Sequence, residues 1–541
     1  MIYDLQVKKT PQTEPILNKP QVQNNAGGYV FALDKWAQLN RFLILGSEGN
    51  TYYASAQKIT KDNLVNVLDC IKEDGKRAVD IIVEISESGR APKNEPALIC
   101  LAAASAAESV ETRRYALSNL SRVARIGTHL FHFVEYAEQF RGWGRALKRA
   151  VANWYNEPTL EKVIYQTIKY KSRDGWSNRD LLRLSHPKAT GARERLYHYL
   201  TKQDAVPEIP ELDRVAAAVE LSRCEDISHA IKLIIEYDLP RECVNTKLLN
   251  DTKVWDALLQ KMPYTATLRS LGKLGSLGML VPLSETSRIV RNRLTNVEQV
   301  TRSKAHPISL LSALRVYGQG HGEKGNLCWT PDQQVVSALD DAFYLSFGNV
   351  QSTGKQTILA LDCSGSMNEG EIAGVPGINP RVASAAMAMV TMAVEEECAV
   401  IGFTEVSRGV YGGKWGGGIP KVSMLPIHKK MRLDDVIRVI NSVPMGGTDC
   451  AVPIVWALQM NCAVDNFVVY TDNETWAGTL HPCQALAEYR RRSGINARLA
   501  VVGMTATSFS IADPADPGML DVVGFDTATP NLMSEFFKGA L

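Results

Sequence analysis

The chain has 541 residues, with 60 Lys and Arg against 58 Asp and Glu, so its formal charge is only +2. That length exceeds what one hydrophobic core supports and predicts about two to four domains. The ordinary apolar and charged fractions exclude a disordered chain, and the near-neutral total excludes any argument for nucleic acid from net charge alone.

Ten cysteines are scattered singly, with no Cys-x-x-Cys pair and no histidines at zinc spacing, which points away from a disulfide framework or a structural zinc. The beginning Met1-Ile-Tyr-Asp-Leu-Gln6 has no basic stretch followed by an apolar one, and the apolar run Ala383 to Val394 is too short to span a bilayer. The expectation is a cytoplasmic and nuclear protein, neither secreted nor in a membrane.

From about Asp34 to Arg315 apolar residues recur at three and four, as in Leu98, Leu101, Ala102 and Ala106, or Leu117, Leu120, Val123 and Ala124. This period predicts consecutive amphipathic helices, punctuated at positions such as Gly75, Gly142, Pro187 and Pro240. Helices in such number with short connections predict stacked helical hairpins, a solenoid of irregular repeats, with a compact helical domain as the alternative.

Within this region residues 141–202 carry fourteen Lys and Arg against five Asp and Glu, a local excess of nine that the total hides. Arg179, Arg183 and His186 fall at i, i+4 and i+7 on a helix opened by Ser177 or Asn178 and ended by Pro187. Lys169, Lys171 and Arg173 precede the Gly175-Trp176 turn and join the same patch, as does Lys188 beyond it. A basic helical face neutralises phosphates; its alternative is a solvated face that meets acidic proteins, as in an interaction scaffold. Trp143, Trp154 and Trp176 read as core. Arg113, Arg114, Arg122 and Arg125 stand at near-helical spacing and would line either an interior hole of such a helical array or another outer face, which spacing does not decide.

Between about Lys324 and Lys355 the pattern changes. Strand-like runs at Thr357 to Leu361, Cys398 to Phe403, Asn466 to Tyr470 and Ala497 to Val502 alternate with helix-like runs at Arg381 to Glu396, Leu433 to Asn441, Ala451 to Met460 and Cys483 to Arg492. The alternation predicts an α/β domain over residues 356–541, a doubly wound and mostly parallel sheet whose ligands sit at the carboxyl ends of its strands. Residues 1–355 form the helical part.

Asp362-Cys-Ser364-Gly-Ser366 follows the first strand and places three oxygens at alternating positions. Thr448, in Met445-Gly-Gly-Thr-Asp449, and Asp472, just after the strand at 466, complete a set of hard oxygen donors suited to one divalent cation, Mg²⁺ first and Mn²⁺ second. With so few carboxylates the ion keeps positive charge and room for an acidic outside ligand, which would be a protein. Enzyme features are missing from the sequence. Ser352-Thr-Gly-Lys-Gln356 imitates a phosphate loop but precedes a strand, and there is no Gly-x-Ser-x-Gly and no His-Glu-x-x-His. No catalytic residue is assigned.

At Asp362, Ser364, Ser366, Thr448 and Asp472 the sequence resembles the von Willebrand factor A family with its metal-ion-dependent adhesion site. Gly175-Trp-Ser-Asn-Arg-Asp-Leu-Leu-Arg-Leu-Ser-His-Pro-Lys188, with Arg41-Phe-Leu-Ile-Leu-Gly-Ser-Glu-Gly-Asn-Thr-Tyr-Tyr53 upstream, resembles the TROVE domain of the Ro ribonucleoprotein autoantigen family. That resemblance implies a ring of HEAT-like helical repeats joined to an A domain, in a monomer. It also implies Y RNA on the outer surface, misfolded noncoding RNA ends in a central hole, and a part in RNA quality control. The family's Y RNA surface falls on Lys169, Arg173 and His186; Lys171, Arg183 and Lys188 are added on charge alone.

Overall fold

A computed structural model describes residues 9–46, 56–202, 204–323, 325–348, 350–372, 375, 377–407 and 419–540. The later part of the Arg41 to Tyr53 stretch, residues 47–53, lies outside the described residues.

The helical reading of the first part holds. Helices at Gly75–Ser88, Val110–Ser118, Leu160–Lys169, Ile227–Tyr237, Thr252–Lys261 and Glu285–Leu294 each begin behind an Asp, Ser or Thr whose side chain accepts a hydrogen bond from a backbone N–H of the first turn. The series closes on itself. Lys304 donates to the Glu87 carbonyl, and the His306 ring donates to the Arg90 carbonyl at 2.9 Å, so the end of the series meets its beginning. The C-terminal part of the chain covers this seam: the Arg90 guanidinium forks onto both oxygens of Asp526, at 3.1 and 2.6 Å, and Phe525 lies against His306.

Two short strands, β1 (Gln21–Gln23) and β2 (Tyr29–Ala32), precede the helices, and β3 (Ser172–Arg173) with β4 (Trp176–Ser177) forms a small hairpin. The C-terminal part contributes β5 (Thr357–Asp362), β6 (Cys398–Ser407), β7 (Ile419–Met424), β8 (Asn466–Thr471), β9 (Arg498–Gly503), β10 (Phe509–Ser510) and β11 (Met519–Val523). Six of these build one sheet in the order β11-β9-β8-β5-β6-β7, parallel except for β7 at one edge. Strands β7 and β11 escaped the sequence reading because Pro420 and Asp521 interrupt their apolar runs.

Both faces of the sheet are buried, which is why its central strands are continuously apolar. Leu359, Leu361, Val468 and Tyr470 pack with the helix Pro380–Val394 in a core continuous with that of the helical region. Ile358, Ala360, Phe467 and Val469 pack with the helices Val452–Gln459 and Pro482–Ser493 in a second core.

One arrangement has no counterpart in the sequence reading. Strand β2 pairs antiparallel with β10 as well as with β1, so the N-terminal strands form a small sheet with the far end of the chain.

Candidate metal and nucleic-acid sites

Chain direction reverses beside the central strand: β6 lies on one side of β5 and β8 on the other, both parallel to it. The carboxyl ends of β5 and β8 therefore open together, and this brings Asp362 and Asp472 to one place. The loop carrying Thr448 reaches the same place through a bridge from Ser364 to Gly446.

All five predicted donors are buried. Asp362 accepts from the Ser364 N–H at 2.9 Å and the Thr471 hydroxyl at 2.7 Å, and the hydroxyls of Ser364 and Ser366 stand 3.0 Å apart. Asp472 accepts from the Glu474 N–H through Oδ1, at 3.0 Å. Its Oδ2 and the Thr448 Oγ1 are buried without a hydrogen-bond partner. Burial, with Asp472 nearby, pushes the Asp362 carboxyl up to about 7; burial raises Asp472 as well. Two carboxylates that repel one another, beside orphaned buried oxygens, fit a hard cation, which would satisfy the oxygens and relieve the repulsion. A helix-cap role for Asp362 leaves both orphans unexplained.

Sequence reading missed the brace behind these loops. Gln12 is fully buried; it donates to Asp449 Oδ1 and the Leu480 carbonyl, both at 2.8 Å, and accepts from the Thr475 hydroxyl at 2.5 Å. Asn24 donates to the Thr475 carbonyl at 2.8 Å, and Asn25 to Glu474 at 2.7 Å. A lone Gln some 440 residues from its partner carries no signal in sequence.

The predicted basic surface divides. Lys171, Arg173, Arg183, His186 and Lys188 are exposed. The helix Asn178–Ser185 starts at the expected Ser177, in a capping box with Asp180. It stops one residue before His186, which takes the left-handed conformation (φ 47°) ahead of Pro187, so His186 leaves the expected helical stripe. Arg179 leaves it too, since its Nε donates to the Thr201 carbonyl at 3.1 Å. Lys169 is half-buried: it donates to the Tyr165 hydroxyl at 3.1 Å and lies over the Tyr165 and Tyr170 rings. Burial alone would lower its pKa; the hydrogen bond it donates to Tyr165, with the Tyr170 and Tyr165 phenols and Glu242 nearby, outweighs that, so the pKa is raised and the charge held.

A second basic region appears that the local charge count does not show. A cavity of about 1030 Å³ opens where residues 85–94, 125–129, 241–273 and 302–329 converge. Arg125, Arg241, Arg269, Lys273, Arg302 and Lys304 line it, and among its described lining residues there is no Asp or Glu. Of the four arginines between 113 and 125, only Arg125 faces this cavity; Arg122 is paired with Glu87 and Arg113 holds the carbonyls of Ala107 and Glu108. Trp154 is core, as expected, whereas Trp143 and Trp176 are half-buried and pack on one another. Ser352 and Thr353 bind the Glu395 carboxylate, so the phosphate-loop imitation holds an internal anion.

Comparisons with known proteins agree with this division. Residues 356–537 match the family described as the Ro60 vWA domain, and residues 22–234 and 230–315 match the TROVE domain. The RNA-binding protein RO60 of Deinococcus radiodurans is 42% identical over 98% of this chain and 97% of its own length. The RNA-binding protein RO60 of Caenorhabditis elegans is 34% identical over 100% of this chain and 94% of its own. The crystal structure of the Deinococcus radiodurans RO (RSR) protein superposes with a TM-score of 0.70 at 40% identity, covering 94% of this chain and all of the other. Identity of 42% and 34% along nearly the whole of both relatives, with both family models matched, makes the chain a member of the Ro60 family of TROVE-domain proteins.

Proposed function

We propose that this protein binds RNA, taking unpaired RNA ends into the cation-lined cavity and structured small RNAs on the exposed surface around Lys171, Arg173, Arg183, His186 and Lys188. One observation carries the reading: six cations from three separate stretches of chain line one cavity without a carboxylate among the described lining residues. Such an interior suits a polyanion threaded through it, held by phosphate contacts with little reading of bases. Two relatives that match this chain from end to end bear the name RNA-binding protein. Y RNAs and the ends of misfolded noncoding RNAs are the ligands that the family resemblance suggests, in the cytoplasm and nucleus.

The test is a titration of full-length protein with a single-stranded oligoribonucleotide across a salt series. Lys273→Ala combined with Arg302→Ala is expected to weaken binding and to reduce the slope of log K against log salt by roughly 1.4, the share of two single-strand phosphates. Unchanged slope and affinity would return the cavity to a role between proteins.

In the A domain, Asp362, Ser364, Ser366, Thr448 and Asp472 would hold one Mg²⁺ or Mn²⁺. Bound there, the ion supplies a Lewis-acidic position for the carboxylate of an acidic protein ligand. The site is proposed to bind and not to turn over, because its donors serve as ligands and no histidine stands among the five.

A further inference from the structure

A second, smaller cavity shares a wall with the large one. It measures about 280 Å³, at the lower edge of small-ligand pockets, which gives room for one nucleotide and no more. Arg241, Thr265 and Arg269 line both cavities, so a strand in the large one passes directly beside the small one.

The floor of the small cavity is apolar, made by the buried Ile234, Leu239 and Leu258. Its rim is cationic. Two carboxylates also reach it, and each is matched already: Glu242 lies 4.0 Å from Arg241, and Asp238 accepts from Arg214 at 3.3 Å. Arg269 has no such match among the described residues, and Lys169 shares the field of Glu242 with Arg241 without a direct ion pair of its own among them. The Lys169 ammonium has three donors, and the Tyr165 hydroxyl takes one. A half-buried ammonium with donors to spare, beside an exposed guanidinium and above an apolar floor, describes a receptor for a flat organic body that carries an anion.

We propose that this cavity holds a single nucleotide, with its base on the floor formed by Ile234, Leu239 and Leu258 and its phosphate between Lys169 and Arg269. The nucleotide is either one residue of a bound RNA turned aside into the wall or a free mononucleotide; the chemistry recognised is the same. Only the RNA source rests on the reading given above. A slot of this depth gives the helical region one place where base size matters, amid phosphate contacts that ignore sequence.

Full-length protein is titrated with AMP, and separately with a ten-nucleotide single-stranded RNA carrying 4-thiouridine, then irradiated and mapped by mass spectrometry. Crosslinks are expected in the peptides containing Tyr165 to Tyr170 or Met262 to Arg269. Ala266→Leu, which fills the cavity and leaves every cation in place, is expected to remove those crosslinks and weaken the oligonucleotide roughly tenfold. Arg269→Gln, at an exposed position that the fold does not depend on, is the second variant and is expected to act in the same direction. AMP that saturates and suppresses the crosslinks supports a free nucleotide as ligand; crosslinks that AMP leaves untouched support the RNA source. Normal oligonucleotide affinity in both variants, with crosslinks only elsewhere and no AMP binding, overturns the proposal. Should the protein bind no RNA at all, the wider reading fails by itself, and the cavity stands or falls on the AMP titration.

Discussion

The two candidate sites are built on opposite plans. In the A domain a few oxygen donors are buried, several fixed by hydrogen bonds, with Asp472 Oδ2 and Thr448 Oγ1 lacking a partner. In the helical region several cations sit exposed or half-exposed around a cavity, so that the charge is shared and no single one makes the site. The first plan suits one small ion in one place; the second suits a long polyanion in many registers. It follows that one substitution should abolish the first function, whereas the second should decline in steps.

The largest effect expected from this contrast is in Asp472→Ala. Calorimetry with Mn²⁺ should show binding lost by two orders of magnitude or more, because an anionic ligand disappears from a set that has only two, while RNA affinity stays within about twofold. Loss of both functions together would erase the distinction between the sites.

Next comes the seam, where His306 donates to the Arg90 carbonyl. Burial drives its pKa down to about 4, opposed only in part by the Arg90 and Phe525 carbonyls and by Asp526. Below the ordinary histidine value of about 6.5 the unfolded chain takes up a proton that the folded chain refuses, so stability falls with pH from there to about 4, by roughly 3 kcal/mol. Melting curves between pH 7.5 and 4.5 should show that His306→Gln, which keeps a donor and cannot charge, loses less stability in acid than the parent. Parallel curves would clear His306 of that role.

Gln12→Ala is expected to cost about 2 kcal/mol, since it strips a partner from Asp449 and from Thr475, both buried. It should also weaken Mn²⁺ severalfold without touching a ligand. Thermal melts and calorimetry read the two effects; a change in neither would show that the brace is ornamental. Smallest is Lys171→Ala with Arg173→Ala: both are exposed, so stability should not move, and the affinity for structured RNA should fall by under about tenfold at low salt and less at high salt.

Legibility in sequence followed the same contrast. The cluster of buried oxygens could be read because Asp362, Ser364 and Ser366 lie within five residues at the end of one apolar strand, Asp472 follows another, and Thr448 sits in a Gly-Gly-Thr-Asp loop. The helices could be read from their period, although their closure depends on Lys304 and His306 meeting carbonyls some 216 residues away, and backbone acceptors leave no trace in sequence. Arg125 is marked by its helical neighbours, but Arg241 and Arg302 escaped because they are ordinary arginines until the helices bring them together. The basic run at 141–202 was visible as charge, yet Arg193 is spent on the Tyr155 and Pro158 carbonyls and Arg179 on Thr201. A count of charges does not separate guanidiniums that hold the fold from those that face solvent.

The pairing of β2 with β10 sets a timetable. Strand β2 is synthesised long before its partner at Phe509–Ser510, with the whole helical region and most of the A domain between them. The same holds for Arg41, buried against the Phe509 carbonyl and Asp521. At a synthesis rate of about 5–20 residues per second, the early strand waits roughly half a minute or longer with its edge unpaired. Its brevity, with Lys19 and Gln23 beside it, limits what else can pair there in the interval. Circular permutation that joins residues 9–33 to the C-terminus should abolish the wait, and the permuted chain would acquire its protease resistance as the A domain folds.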